Sequence, residues 1–274
     1  MQFPAKKLTI FFYICFVVMI WWSLALFITH QKITNWNYIF NIGIAFFYLS
    51  GATIAFLFSK RNEVHNSVTH ELLSIGAGVM LFGIGLLIWS YYNLVLHVDI
   101  PYPSFADVVY VFYIPILAYG VVSLLRVYGI MISKAMYIQT FVIFVLAAIF
   151  IFAVGNPPDL SNSIPLLAKV FTLYYLLGDA LLITLGIMLI RLTKGRIHNS
   201  FFYFFLAFFS MTTADFLFSY RTAHEIYWNG DVSDVFYALA GLLFTLGIIK
   251  IVATQSIITK YFSQPAGKNP PKIS

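Results

Sequence analysis

Eight apolar runs, each 20 residues or longer, follow one another along this chain with little between them. A helix needs about 20 apolar residues to cross the hydrocarbon core of a bilayer. The runs cover residues 8–29, 37–59, 72–96, 106–125, 135–155, 166–192, 201–220 and 235–258. They are continuous, whereas the strands of a membrane barrel would alternate apolar and polar over ~10 residues. Only 9% of the 274 residues are charged, and 61% are hydrophobic. A soluble domain carries about 25% charged residues, so a water-soluble globule is excluded. Disorder is excluded as well, because it needs low hydrophobicity. The expected fold is all-α: a polytopic membrane protein whose eight-helix domain fills residues 1–258, with a short flexible cytoplasmic tail at 259–274. That leaves no room for a soluble catalytic or nucleic-acid-binding domain.

The net charge of +6 and pI near 9.2 gain meaning from where the bases sit. Lys6, Lys7, Lys60, Arg61, Arg126, Lys134, Arg191, Lys194, Arg196, Lys260, Lys268 and Lys272 flank one side of the spans, and only Lys32, Lys169 and Arg221 the other. Lys250 lies inside the last span. By the positive-inside rule the side with twelve is cytoplasmic, so a multi-pass protein of the cell membrane with both termini cytoplasmic is expected. The basic excess then faces anionic lipid headgroups, and nucleic acid is not a partner. Lys6-Lys7 and the run behind them resemble a signal peptide. That run is long and lacks a small-x-small cleavage site, so it reads as a retained first span. The single Cys15 excludes an intramolecular disulfide and a thiolate cluster.

A shift of 127 residues lays spans one to four on spans five to eight without a gap. Tyr48, Leu49 and Gly51 then fall on Tyr175, Leu176 and Gly178; His97 falls on His224; Asp107, Val108, Tyr110 and Gly120 fall on Asp234, Val235, Tyr237 and Gly247. The overall identity is at the level of chance, but these landmarks cluster near helix ends. A tandem four-plus-four repeat would give both halves the same orientation, related by an axis along the membrane normal.

Ionisable side chains inside a span cost at least about 2.5–3.5 kcal/mol at the helix centre, so each needs a reason. Asp179 lies deep in the sixth span, with Tyr175 and Thr172 on the same helical face. Asp215, near the end of the seventh span, shares its face with Thr212 and Ser219. These stripes fit a ligand, cation or proton site facing the bundle interior. They fit equally a packing role, with carboxyls held by interhelical hydrogen bonds. Lys250 is deep enough to pair with Asp179, although snorkelling along its aliphatic stem is the favoured reading. Asp107 and Asp234 stand at helix starts, where a carboxylate caps free backbone N–H groups; with Tyr110 and Tyr175 they complete the polar set. His97 and His224 at helix ends are candidate metal ligands, without any short ligand spacing. No mid-membrane histidine pair exists to hold haem, and no cofactor is expected. Ser-His-Asp, phosphate-loop and zinc-protease patterns are missing, so no enzyme is expected.

Pro103-Ser104-Phe105-Ala106-Asp107, continued by Tyr110 and by Tyr113-Ile114-Pro115-Ile116-Leu117, resembles a motif of multi-helix membrane input regions of bacterial signalling proteins. Such regions precede diguanylate cyclase and phosphodiesterase domains. Tyr175-Leu176-Leu177-Gly178-Asp179-Ala180-Leu181-Leu182, and Ala214-Asp215 followed by Tyr220, are similar to their other acidic signatures. The resemblance covers spans three to eight and implies a sensor-like or signalling-accessory role. No output domain follows residue 258, so no cyclase activity carries over and a separate cytoplasmic or membrane signalling partner is implied. The alternative is a small cation- or proton-coupled transporter using Asp179 and Asp215. Paired halves with a midplane site would favour transport; an unpaired site near the outer surface, in the outer half of the bundle, would favour sensing.

Overall fold

In a computed structural model, residues 3–59, 66–130, 133–154 and 165–262 are described, with side chains at all of these except 66, 67, 154, 196 and 257–262. The expected connections at 60–65 and 156–159, and the tail beyond 262 with Lys268 and Lys272, lie outside the described residues.

Eight helices follow in order: α1 (Ala5–Ile28), α2 (Asn35–Ser59), α3 (Asn66–Tyr91, continued by a π-helical turn Tyr92–Leu96), α4 (Phe105–Val127), α5 (Lys134–Val154), α6 (Leu166–Leu192), α7 (Gly195–Ala223) and α8 (Val232–Phe262). All eight are long and apolar enough to cross a membrane. Most ends fall within a few residues of the sequence reading. The exceptions are the starts of α3 and α7, each six residues earlier than the apolar run. Polar residues such as His70, Glu71, His198 and Asn199 end the apolar runs but continue the helices, because backbone hydrogen bonding does not stop where the hydrocarbon does. Four ends carry a left-handed residue that closes the last turn: His30 after α1, His97 after the π-helical turn of α3, Gly129 after α4 and Glu225 after α7. The next N–H reaches back six residues from Val98 to Tyr92, and five in the other three, Gln31 to Leu26, Ile130 to Leu125 and Ile226 to Arg221.

The even number of spans puts residue 5 and residue 262 on one face, and the loops 29–34, 97–104 and 224–231 on the opposite one, called here the far face. Six helices close a ring in the order α2, α3, α4, α6, α7, α8 and back to α2. Outside the ring, α1 lies on α8 and touches α2, whereas α5 rests on α6 alone among the described residues. The 127-residue shift maps this ring onto itself: α2–α3 becomes α6–α7, α3–α4 becomes α7–α8, and α2–α8 becomes α6–α4.

The glycines that coincide under the shift sit at equivalent crossings. A Cβ on Gly51 would fall 2.6 Å from Thr245 Oγ1 of α8, and one on Gly178 would fall 2.3 Å from Ile114 Cδ1 of α4. Gly120 faces Ser74 and Ile75 of α3, and Gly247 faces Phe204 of α7. Small residues at such crossings let helices approach closely, which drives association where lipid removes the hydrophobic term. The equivalence fails for the outer pair, because among the described residues α1 leans on α8 while α5 does not reach α4. The half of the ring away from the far face is filled by apolar side chains, among them Leu189, Phe201, Phe204, Phe244, Ile248 and Ile251, none more than 1% exposed.

Candidate functional site: a buried acidic pair beneath a polar cap

Asp179 follows the first residue of α6 by thirteen positions, about 20 Å along the helix at ~1.5 Å per residue. Its side chain is 6% exposed. Asp215 stands eight residues before the end of α7, deeper than the apolar run suggests, because α7 continues to Ala223. The two carboxyls lie close enough to interact electrostatically. Thr212, one turn from Asp215, donates to Asp179 Oδ1 at 3.2 Å. Tyr237 of α8 donates to Asp215 Oδ1 at 2.5 Å. Three helices thus meet at one acid pair.

Aromatic rings line the neighbouring interior. Phe82 of α3 has ring centroids of Tyr48, Tyr110, Tyr113 and Tyr237 at 4.7, 4.9, 5.1 and 5.9 Å. Gly85 admits Tyr110, since a Cβ there would fall 2.2 Å from its ring. Tyr48 donates to the Tyr237 carbonyl at 2.9 Å, and Tyr174 donates to the Val111 carbonyl. Tyr110 lies within electrostatic range of Asp107, Asp215 and Asp234.

Asp107 and Asp234 cap their helices and do more. Asp107 Oδ2 accepts from the Ser104 N–H at 2.6 Å and from the Ser104 hydroxyl at 2.8 Å, while Ser104 Oγ accepts from the Ala106 N–H. Its other oxygen accepts from Tyr175 of α6 at 2.7 Å, which ties α6 to α4. Asp234 accepts from the Gly230 N–H at 2.6 Å and from Tyr227 at 3.3 Å. Thr172, the far-face member of the Asp179 stripe, contacts Tyr102 at 2.9 Å. The stripe therefore serves three neighbours, α4 and the 97–104 loop at its far-face end and α7 at Asp179.

The remaining sequence candidates stay apart from the pair. Lys250 is exposed on α8 and forms no ion pair with Asp179; the salt bridge among the described residues joins Arg221 and Asp231. His97 and His224 are exposed, and no group of three or more His, Cys, Asp or Glu side chains converges to hold a metal among the described residues. His224 Nδ1 instead lies 2.8 Å from the Tyr220 carbonyl of its own helix.

One part of the site has no counterpart in the sequence reading. The α7–α8 loop folds into the far-face mouth of the ring, and Asn229 is its anchor. Asn229 Oδ1 accepts from Asn41, Trp89 and Tyr227 at 2.6, 3.1 and 3.2 Å, and its carbonyl accepts from Asn37 at 3.0 Å. Ser23 donates to the Gly230 carbonyl at 2.6 Å. Asn37 and Asn41, at 0% and 2% exposure, are the clue available in the sequence: two amides four apart on an apolar helix require buried partners.

Burial, followed by the charges of Asp234 and Asp231, pushes the Tyr227 hydroxyl well above the usual tyrosine value. The unfolded chain ionises such a tyrosine near pH ~10, and the folded protein does not. A group with a raised folded value contributes its stability below the unfolded value and loses it as the pH rises. Thermal stability is therefore expected to fall above pH ~10, and Tyr227→Phe is expected to flatten that fall. Melting curves of both proteins across alkaline pH test this; parallel profiles would contradict it.

Comparison with family models, with curated proteins and with solved structures returns no match. The fold and the site define the class: a polytopic α-helical membrane protein with acidic residues buried inside its bundle.

Proposed function

We propose that this chain is a membrane sensor-like or signalling-accessory protein, without an enzymatic activity of its own, whose responsive centre is the Asp179–Asp215 pair. The observation that carries the reading is the asymmetry of that pair. Under the 127-residue shift Asp179 corresponds to Ala52, Asp215 to Ile88 and Thr212 to Gly85, so one half carries the acids and the other does not. A carrier built on alternating repeats places its site between equivalent halves and uses broken helices there. Here α6 and α7 run unbroken past the acids. The resemblance of the 103–117 segment to signalling input regions supports the same reading. With the cytoplasmic termini implied by the basic residues, the site takes a small ligand or cation from the outer side, and the response passes to a separate signalling partner.

Proton- or cation-coupled transport is the second reading, favoured by two acids in adjoining spans. Proteoliposomes holding the full chain separate the two. Under sensing, a fluorophore at Ser133→Cys in a Cys15→Ser background is expected to change signal when the outer pH steps from about 8 to about 3.5, a range bracketing ordinary carboxyl and imidazole titration. Proton or sodium flux is expected to stay at the level of protein-free vesicles. Flux that disappears in Asp215→Asn would replace sensing by transport.

A further inference from the structure

On the far face a groove of about 320 Å³ runs between α1 and the junction of α7 with α8, within the range of about 300–1,000 Å³ of small-ligand sites. Ile20, Leu24 and Phe27 form one wall, and Trp228, Val232 and Val235 the other. Leu24, Phe27 and Val232 are 43%, 59% and 44% exposed. These residues belong to spans, so the medium they meet is the bilayer. At the rim stand Arg221 and Asp231.

The rim is built for an anion with two or more oxygens. Asp231 is 1% exposed and holds the guanidinium through Nε. Its Oδ1 accepts from the Ser233 N–H at 2.8 Å and from the Ser233 hydroxyl at 2.5 Å. Arg221 Nη2 also donates to the Ile226 carbonyl at 3.1 Å. Of the five guanidinium donors, three have no hydrogen-bond partner among the described residues, and the side chain is 23% exposed. Arg221 stands two residues from the end of α7, at the level where spans meet headgroups. Ile20 to Phe27 occupy the last ~12 Å of α1 before that level.

We infer that this groove binds a phospholipid, with one acyl chain between α1 and α8 and the phosphate on the free edge of Arg221. An apolar slot below a planar, oriented cation matches a phosphodiester above a hydrocarbon chain in both charge and order along the membrane normal. The chain contributes packing contacts that a disordered lipid annulus would not. The lipid also touches the cap: Trp228 lines the groove, while the next residue, Asn229, holds Asn41 and Trp89, and Gly230 holds Asp234. Occupancy thus braces the loop above the acid pair, independently of what the pair responds to.

The test uses the full chain purified in mild detergent, exposed to dioleoyl phosphatidylglycerol, to dioleoylglycerol and to inorganic phosphate, with bound lipid counted by native mass spectrometry. One phosphatidylglycerol per chain is expected, with dioleoylglycerol held about tenfold more weakly, the scale of a lost charge-assisted hydrogen bond. Inorganic phosphate alone is not expected to displace the lipid. Leu24→Trp fills the groove without touching the ion pair and is expected to lower retention about tenfold at unchanged helix content. Arg221→Gln is expected to bring the two lipids to parity. Equal retention of both lipids by the unaltered protein, displacement by phosphate alone, or full retention in Leu24→Trp would each overturn the proposal.

Discussion

Asp179→Asn is expected to abolish the pH-dependent signal at residue 133 while the protein accumulates and melts close to the unaltered chain. Asparagine keeps an oxygen for the Thr212 hydroxyl and gains N–H donors for Asp215, so it satisfies the same neighbours with no proton to gain or lose. Asp179→Leu separates structure from response in the other direction. It strips Thr212 and Asp215 of a shared partner in the interior, at a cost of about 1–3 kcal/mol for each group left unpaired, and is expected to lower the melting temperature. Signal and melting temperature together decide the matter. A response preserved in Asp179→Asn would make the pair a packing device, with the carboxyls serving only to join α6 to α7.

The second large effect is expected at a residue far from the pair. Asn229→Ala removes the single oxygen that Asn41, Trp89 and Tyr227 share. Two donors, from α2 and α3, then lose their acceptor at once, while Tyr227 keeps Asp234. At about 1–3 kcal/mol per buried unpaired group, the loss is about 2 kcal/mol or more. Trp89→Phe deletes one donor and leaves the other two in place, so about 1 kcal/mol is expected. Thermal unfolding of both variants in the same detergent tests the ratio; similar losses would show that Asn229 is not the shared anchor.

Much of the arrangement can be read from the chain, and the physical reasons for the rest are specific. The eight spans follow from apolar run length. The bounds of α6 coincide with the reading because Pro165 and Arg191-Leu192-Thr193 punctuate both the run and the helix. Helical periodicity puts Thr172, Tyr175 and Asp179 on one face, and Thr212 with Asp215 on another, as the structure has them. Periodicity says nothing about which helix each face meets. That α6 turns Tyr175 to α4 and Asp179 to α7 depends on the ring order, and the ring order depends on glycine crossings such as Gly51 on Thr245 and Gly178 on Ile114. Tyr237 is legible as a repeat landmark, but its hydroxyl becomes a partner of Asp215 only when α7 and α8 pack. The α7–α8 loop was hidden for a further reason. Tyr227, Trp228 and Asn229 sit in a short stretch between spans, and nothing local says that such a loop turns inward.

The attachment of α5 has a mechanical consequence. Its one helix neighbour among the described residues is α6, through contacts that include Gln139 to Arg191 at 3.0 Å and Thr140 to Met188. The same α6 carries Asp179. An axial turn of α6 would carry α5 with it as a lever with its fulcrum at that shared seam, so that an angular change at the acids would become a lateral displacement at the periphery. The pivot of α1 is different, because α8 and α2 hold it from two sides. Of the two outer helices α5 thus has the single attachment among the described residues, and the chain leads to it from α4 through the segment flanked by Arg126 and Lys134.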